Sequence, residues 1–172
     1  MTLSAAPVAS VFASPLDRAV ETGEILAAPH GLAVQTDERL IEWSFWERWA
    51  GMPWASIHER DPDVLEAYGL DPAAASPGDP LEAAGRRVLS WAEDVEERGD
   101  PTEGKAGRSS AEPSSSLVLG ITHEAPLIAA MLVGRGQGIS SYHGTNLPHL
   151  GAVRLRPGPP EIVDLAAWAA RC

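Results

Sequence analysis

Three side chains of different chemistry, Arg18, Glu42 and His123, are of types that can bind an anion, hold a proton and hydrogen-bond a ligand. Arg18 falls in the first turn of a helix that begins after Ser14-Pro15. Free backbone N–H groups and the helix dipole favour an anion there, and a planar guanidinium strengthens such a site. The same position also lets Arg18 pair with Glu21 three residues on, a common and weak surface ion pair. His123 follows an apolar run and precedes Glu124-Ala125-Pro126, which puts its imidazole in a loop at a strand's carboxyl end, where active sites gather. Its other reading is a histidine satisfied by hydrogen bonds at a sheet edge. Glu42 is followed at once by Trp43, and burial against aromatic side chains would raise its pKa towards that of a general acid. As one of twenty-four acidic residues it can also be a solvated charge. His30, His58, His143 and His149 have no comparable placement.

Composition narrows the ligands. A net charge of −11 and a pI near 4.8 argue against a surface that tracks nucleic-acid phosphates or an anionic membrane, both of which need excess cations. Of thirteen basic residues only Lys105 is not arginine, so a bound anion meets planar, bidentate groups. The lone cysteine, Cys172, rules out an internal disulfide framework and a cysteine-rich zinc site, which fits a reducing, cytoplasmic setting. Met1 to Ala13 lacks the basic start of a secretory signal. No stretch reaches the roughly 20 apolar residues of a membrane span. The length of 172 residues is about that of one domain.

The elements that must position these residues follow from pattern. Val8 to Ala13 reads as a short buried strand running into Ser14-Pro15-Leu16-Asp17, a helix start with Ser14 as cap and Pro15 at the first helical position. Leu16, Ala19, Val20, Gly23, Leu26 and Ala27 then recur at helical spacing up to Pro29-His30-Gly31. Ile41 to His58 is rich in aromatics, with Trp43, Phe45, Trp46, Trp49 and Trp54 better suited to core or lid packing than to stacking on a base. Asp61 to Pro80 reads as mostly loop. Leu81, Ala84, Val88, Trp91 and Val95 form one apolar stripe of a helix ending at Arg98-Gly99, opposite Glu82, Arg86, Glu93 and Glu97. Residues 100–116 are a low-complexity, solvated loop within a single domain spanning 1–172. Leu117 to Thr122 reads as a strand buried on both faces, Pro126 to Val133 as a helix, and the tail from Val153 as a hairpin. Two strand-to-helix units predict an α/β fold with a largely parallel sheet, whose strand ends bring Arg18 and His123 to one edge.

Ser14-Pro15-Leu16-Asp17-Arg18-Ala19-Val20-Glu21-Thr22 resembles the pattern S-P-L-x-R-A-x-x-T of the histidine phosphatase superfamily, of the phosphoglycerate-mutase-like kind. Leu40-Ile41-Glu42 resembles its next block, a leucine two residues before the acid-base glutamate. Pro77-Gly78-Asp79-Pro80-Leu81 stands where the family often has P-G-G-E-S, and Val118 to Pro126 is similar to V-x-S-H-x-x-P. The blocks keep the family's order over about residues 8 to 165. The resemblance implies a three-layer α/β sandwich, action on phosphate monoesters through a phosphohistidine, and no metal or organic cofactor. It also implies that Arg18 binds the phosphoryl group, His123 hydrogen-bonds it and Glu42 protonates the leaving oxygen.

The departures are equally specific. The family opens with a strand ending in R-H-G, whose histidine attacks phosphorus, followed by a helix. Here thirteen residues precede Ser14 and no Arg-His-Gly occurs, so the fold is expected to lack that first strand and helix and the site its nucleophile. Tyr142-His143-Gly144 is the nearest echo. Asp79-Pro80 replaces the usual Glu-Ser, and Ala50-Gly51 the usual Glu-Gly. Three expectations follow: a phosphatase whose start lies upstream, a non-catalytic module that binds a phosphorylated small molecule or a partner chain through an open sheet edge, and a split enzyme completed by a second chain. Self-association through that edge belongs with the second.

Overall fold

The computed structural model describes residues 3–72, 79–98, 117–148, 151–156 and 158–163. Strand β1 (Val8–Ala13) pairs in parallel with both β2 (Val34–Thr36) and β3 (Leu117–Ile121), in the order β2-β1-β3. Successive residues of β1 face opposite sides. Phe12 meets Trp91 of helix α4 (Leu81–Arg98) edge-on, with centroids 5.8 Å apart, while Ala13 lies against Gly23 of α1 (Asp17–Ala27). Helices therefore cover both faces of the sheet, as parallel strands require. At Gly120 of β3 an added Cβ would stand 2.3 Å from Trp91 Cη2, so only glycine leaves room for the indole.

The helical layer beside Phe12 is held by a close crossing. The expected α4 stripe is buried at Leu81, Ala84, Val88 and Trp91, and it packs on α5 (Glu124–Gly134). A Cβ at Gly85 would come within 2.5 Å of the Ala129 carbonyl carbon, so the bare backbone there allows the two helices to touch. Between these helices and Trp43, Phe45 and Trp49 lies the larger of two apolar clusters. The smaller, of Leu40, Val88, Trp91, Ala92 and Ala130, joins α4 and α5 to the sheet through Phe12 and Val118.

Local structure departs from sequence pattern in three places. Residues 61–80 were expected to be mostly loop, yet α2 (Trp54–Arg60) is followed by α3 (Pro62–Leu70). Pro62 presets the first helical φ, and Val64, Leu65 and Tyr68 pack against the larger cluster, which stabilises a helix too short to persist alone. Helix α1 begins two residues later than expected, with Leu16 at its cap. Ser14 stays extended because its N–H continues the ladder, donating to the Ile121 carbonyl at 2.8 Å. The run Leu117 to Thr122 is not buried on both faces: its residues are half-buried and Gly120 is exposed. The cause is position, since among the described residues β1 is the one strand that pairs with β3.

The tail forms the expected hairpin, β4 (Ala152–Arg154) antiparallel to β5 (Glu161–Val163). The loop expected over 100–116, Pro77-Gly78, His149 and residues 164–172 lie outside the described residues.

Candidate functional site

Three backbone connections bring the carboxyl ends of the strands together. Ala13 of β1 is in register with Ile121 of β3 and with Thr36 of β2, so Ser14, His123 and the segment after Asp37 leave the sheet side by side. Asp37 N–H donates to the Ala13 carbonyl at 3.0 Å, and the Thr122 hydroxyl donates to the Leu40 carbonyl at 2.7 Å. Arg39 then bonds Asp37 and, at 2.6 Å, Asp94 of α4, which ties this segment to the helical layer. Glu42 follows three residues later, and its own carboxylate accepts the Trp43 N–H at 2.9 Å.

Arg18, Glu42 and His123 converge at this edge. An Arg18 terminal nitrogen lies 3.1 Å from His123 Nδ1 and 3.7 Å from Glu42 Oε2, and those two acceptors are 3.6 Å apart. The pairing of Arg18 with Glu21 is thus replaced by partners more than twenty residues away. A guanidinium only donates, so Nδ1 accepts, and the neutral ring carries its proton on Nε2. That N–H donates to the Ser14 Oγ at 2.8 Å. Ser14 is fully buried, and its hydroxyl, expected to cap a helix, instead accepts the Nε2–H that the donor-only Arg18 leaves on the ring. Sequence pattern missed this role, although the serine opens the block that contains Arg18.

Burial and charge displace both titratable groups. His123 is buried, and desolvation followed by the neighbouring Arg18 charge lowers its pKa from 6.5 to about 4. Desolvation raises that of Glu42, against the opposing pull of the Trp43 N–H and Arg18. The side chain of Glu42 is 18% accessible, and burial is the cause of its upward shift, so the solvated alternative does not describe it. Arg18 itself is mostly exposed, with a side chain 62% accessible, so an anion can reach it from solvent.

Beyond Glu42 a cavity of about 480 Å³ opens between α2, α3, α5 and the 3-10 turn Ile139–Gly144. Its wall includes Trp46, Trp54, Tyr68 and Tyr142, together with Glu124 and His143. The Tyr68 and Tyr142 hydroxyls hydrogen-bond each other, and burial raises both pKa values, so both are neutral near pH 7. His143, given no role by sequence pattern, reaches the cavity because Nε2 bonds the Tyr68 carbonyl at 2.9 Å. Asp79, where the sequence has Asp-Pro, holds this wall from behind: its carbonyl accepts Trp43 Nε1–H at 2.6 Å and its carboxylate accepts the Ser44 N–H at 3.2 Å. Among the described residues no cluster of three or more His, Cys, Asp or Glu is spaced to hold a metal ion, and no helix is long and apolar enough to cross a membrane.

Comparison with known proteins places the arrangement. A model of the histidine phosphatase superfamily (branch 1) matches residues 1–161. The bifunctional protein Rv2228c of Mycobacterium tuberculosis is 35% identical over 71 residues, and an uncharacterized protein of Mycobacterium bovis, Mb2253c, matches equally. The matched stretch is 41% of this chain and 19% of those proteins, so the chain spans about a fifth of their length. Among solved structures, mycobacterial hydrolase 1 superposes with a TM-score of 0.69 at 20% identity, covering 94% of this chain and 78% of its own. YhfR of Bacillus stearothermophilus gives 0.66 at 19%, covering 90% and 72%. The mycobacterial glucosyl-3-phosphoglycerate phosphatase Rv2419c, in complex with VO3, gives 0.65 at 20%, covering 84% and 66%. At these identities the likeness is one of fold.

Proposed function

Because the chain belongs to the histidine phosphatase superfamily (branch 1), we propose that Arg18, Glu42 and His123 form the substrate-holding part of a phosphate-monoester site. One observation carries this: three groups of complementary chemistry from distant segments lie within 3.7 Å of one another at the carboxyl ends of a parallel sheet. Arg18 grips the phosphoryl oxygens with paired N–H donors. An arriving dianion raises the pKa of its neighbours, so His123 takes up a proton on Nδ1 and donates to a phosphoryl oxygen, while Nε2–H keeps its bond to Ser14. The same charge helps Glu42 retain a proton beside the bridging oxygen, poised for the alkoxide that would leave if a nucleophile from outside these residues took the phosphoryl group. Positioning, a donor-rich clamp and an acid for the leaving oxygen are most of what phosphoryl transfer asks of a protein.

The chain carries no Arg-His-Gly, and the reading is that these 172 residues bind a monoester without turning it over. The proposed unit is one domain over residues 1–172 in the cytoplasm, the lone cysteine supporting a reducing setting. Calorimetry with inorganic phosphate and orthovanadate, beside an assay with p-nitrophenyl phosphate, tests both parts. Binding that Arg18→Ala weakens by about tenfold to a hundredfold, without hydrolysis, is the expected result. Absence of anion binding sinks the site, and hydrolysis abolished by His123→Ala sinks the inactivity.

A second reading has its own support. Among the described residues no strand pairs with the outer edge of β3, which would offer backbone donors and acceptors to another strand. A strand ending in Arg-His-Gly, from the same polypeptide upstream or from a second chain, would cover this edge and bring a nucleophile to the clamp. A copy of this chain or another partner would cover it without catalysis. Added to the protein, an Arg-His-Gly peptide that restores turnover favours the first occupant, and a dimer in sedimentation favours the second.

A further inference from the structure

Glu42 belongs to two surroundings at once. One carboxyl oxygen is 3.7 Å from the Arg18 guanidinium, and the same side chain forms part of the wall of the 480 Å³ cavity. If phosphoryl oxygens occupy Arg18 and Glu42 protonates the bridging oxygen, the alcohol portion of the ester must extend past Glu42, into that cavity. Its size is that of an ordinary small-molecule site. We propose that the cavity holds the leaving group and selects a planar ring that bears no second anionic group, with preference for a ring carrying positive charge.

This rests on the phosphoryl-site reading, and the lining supplies the rest. Trp46, Trp54, Tyr68 and His143 present aromatic surfaces, while Glu42, holding its proton when the ester is bound, and Glu124 are the acidic residues of the wall, with neither Lys nor Arg among its described lining residues. Trp54 is 57% exposed, so a large aromatic surface stands open to a ligand. Indole and phenol faces stack on a ring and attract a cation through their negative quadrupole. The field of Glu124 reaches across the cavity: its charge contributes to the raised pKa values of Glu42, Tyr68 and Tyr142 alike. A carboxylate on the leaving group would enter that field with no Lys or Arg among the described lining residues to meet it, and the repulsion would act as a filter.

Binding of four ligands to the 172-residue protein, by calorimetry at pH 7.5, tests the proposal: inorganic phosphate, phenyl phosphate, 4-(trimethylammonio)phenyl phosphate and 4-carboxyphenyl phosphate. Phenyl phosphate should bind about tenfold more tightly than inorganic phosphate, and the trimethylammonio ester about threefold more tightly again. The carboxy ester should bind about tenfold more weakly than the phenyl ester. Trp54→Ala should shrink the advantage of phenyl phosphate over inorganic phosphate, and Glu124→Gln should shrink the penalty on the carboxy ester. These are ratios within one variant, which a modest loss of stability does not change. If inorganic phosphate binds but the carboxy ester equals or exceeds the phenyl ester, the selectivity is wrong and the phosphoryl site stands. If none of the four binds, both readings fall.

Discussion

The clamp and the cavity share Glu42 and are built by different physics. At the clamp, Ser14, Arg18 and His123 follow directly from strand ends locked in register, and each is oriented by a hydrogen bond or ion pair to another. At the cavity, Trp46, Trp54, Tyr68 and Tyr142 come from a 3-10 segment, two short helices and a turn, and rings hold rings. Phe45 stacks on Trp43 at 4.7 Å between centroids and on Tyr68 at 5.1 Å, while Trp46 meets Phe45, Trp49 and Tyr68. The clamp depends on direction and protonation, whereas the wall depends on shape and area. Substitutions should separate the two: changes behind the wall cost stability, and exposed changes at the clamp cost ligand.

The largest effect is expected at Trp43, which is fully buried, stacked on Phe45 and bonded to the Asp79 carbonyl. Trp43→Ala should destabilise the fold by about 3–5 kcal/mol in urea titrations, because it leaves a cavity and an unpaired carbonyl. A loss below about 1 kcal/mol would mean that the aromatic wall packs independently of its neighbours.

Next comes the pH dependence of the clamp. The folded-state pKa of His123, about 4, lies below the ordinary 6.5, so between those values the unfolded chain binds more protons. Its contribution is therefore complete above pH 6.5 and is lost as pH falls towards 4, by an amount of the order of 3 kcal/mol. Glu42 acts in the opposite sense. Its raised pKa makes its contribution complete below the ordinary 4.5 and lost as pH rises through the folded value. Urea midpoints from pH 4 to 8 should flatten in His123→Asn over the acidic range and change in the other direction in Glu42→Gln. Identical slopes in the wild type and His123→Asn would break the assignment of the buried neutral imidazole.

Arg18→Ala should move binding far more than stability. Removing charge-assisted bonds worth about 1.5–3 kcal/mol weakens vanadate binding by about tenfold to a hundredfold, while an exposed side chain leaves the urea midpoint shifted by less than about 1 kcal/mol. The smallest change is expected for Ser14→Ala, which leaves the Nε2–H of a buried histidine unpaired at a cost of about 1–2 kcal/mol. Imidazole nitrogen shifts in NMR should show His123 as the Nε2–H tautomer in both proteins, because the donor-only Arg18 stays on Nδ1. A mixture in the variant would assign part of the control to Ser14.

The clamp was more legible in sequence than the wall. The S-P-L-x-R-A block and the strand before His123 are local signals, in which one residue's role is set by neighbours a few positions away. Glu42 was singled out by the resemblance of Leu40-Ile41-Glu42 to a family block, since its place before Trp43 left burial and solvation both open, and packing decided for burial. Tyr68 and His143 carried no such signal. The helix that presents Tyr68 arose in a stretch rich in Pro, Ala, Asp and Gly because Val64 and Leu65 found the core, a tertiary effect that overrides weak local propensity. His143 reached the cavity by a hydrogen bond to a residue 75 positions earlier.

By itself the sequence determined the family blocks around Arg18, Glu42 and His123, the strand-to-helix units that carry Arg18 and His123, and that these 172 residues hold no Arg-His-Gly, because chain-local pattern suffices for each. Tertiary structure decided that Ser14 holds His123 instead of capping a helix, that β3 lies half-exposed, and that Glu42 stands between Arg18 and an aromatic cavity. Those outcomes depend on strand register and on packing between segments far apart in the chain, and a side chain's pKa, tautomer and partner are set by what surrounds it in space.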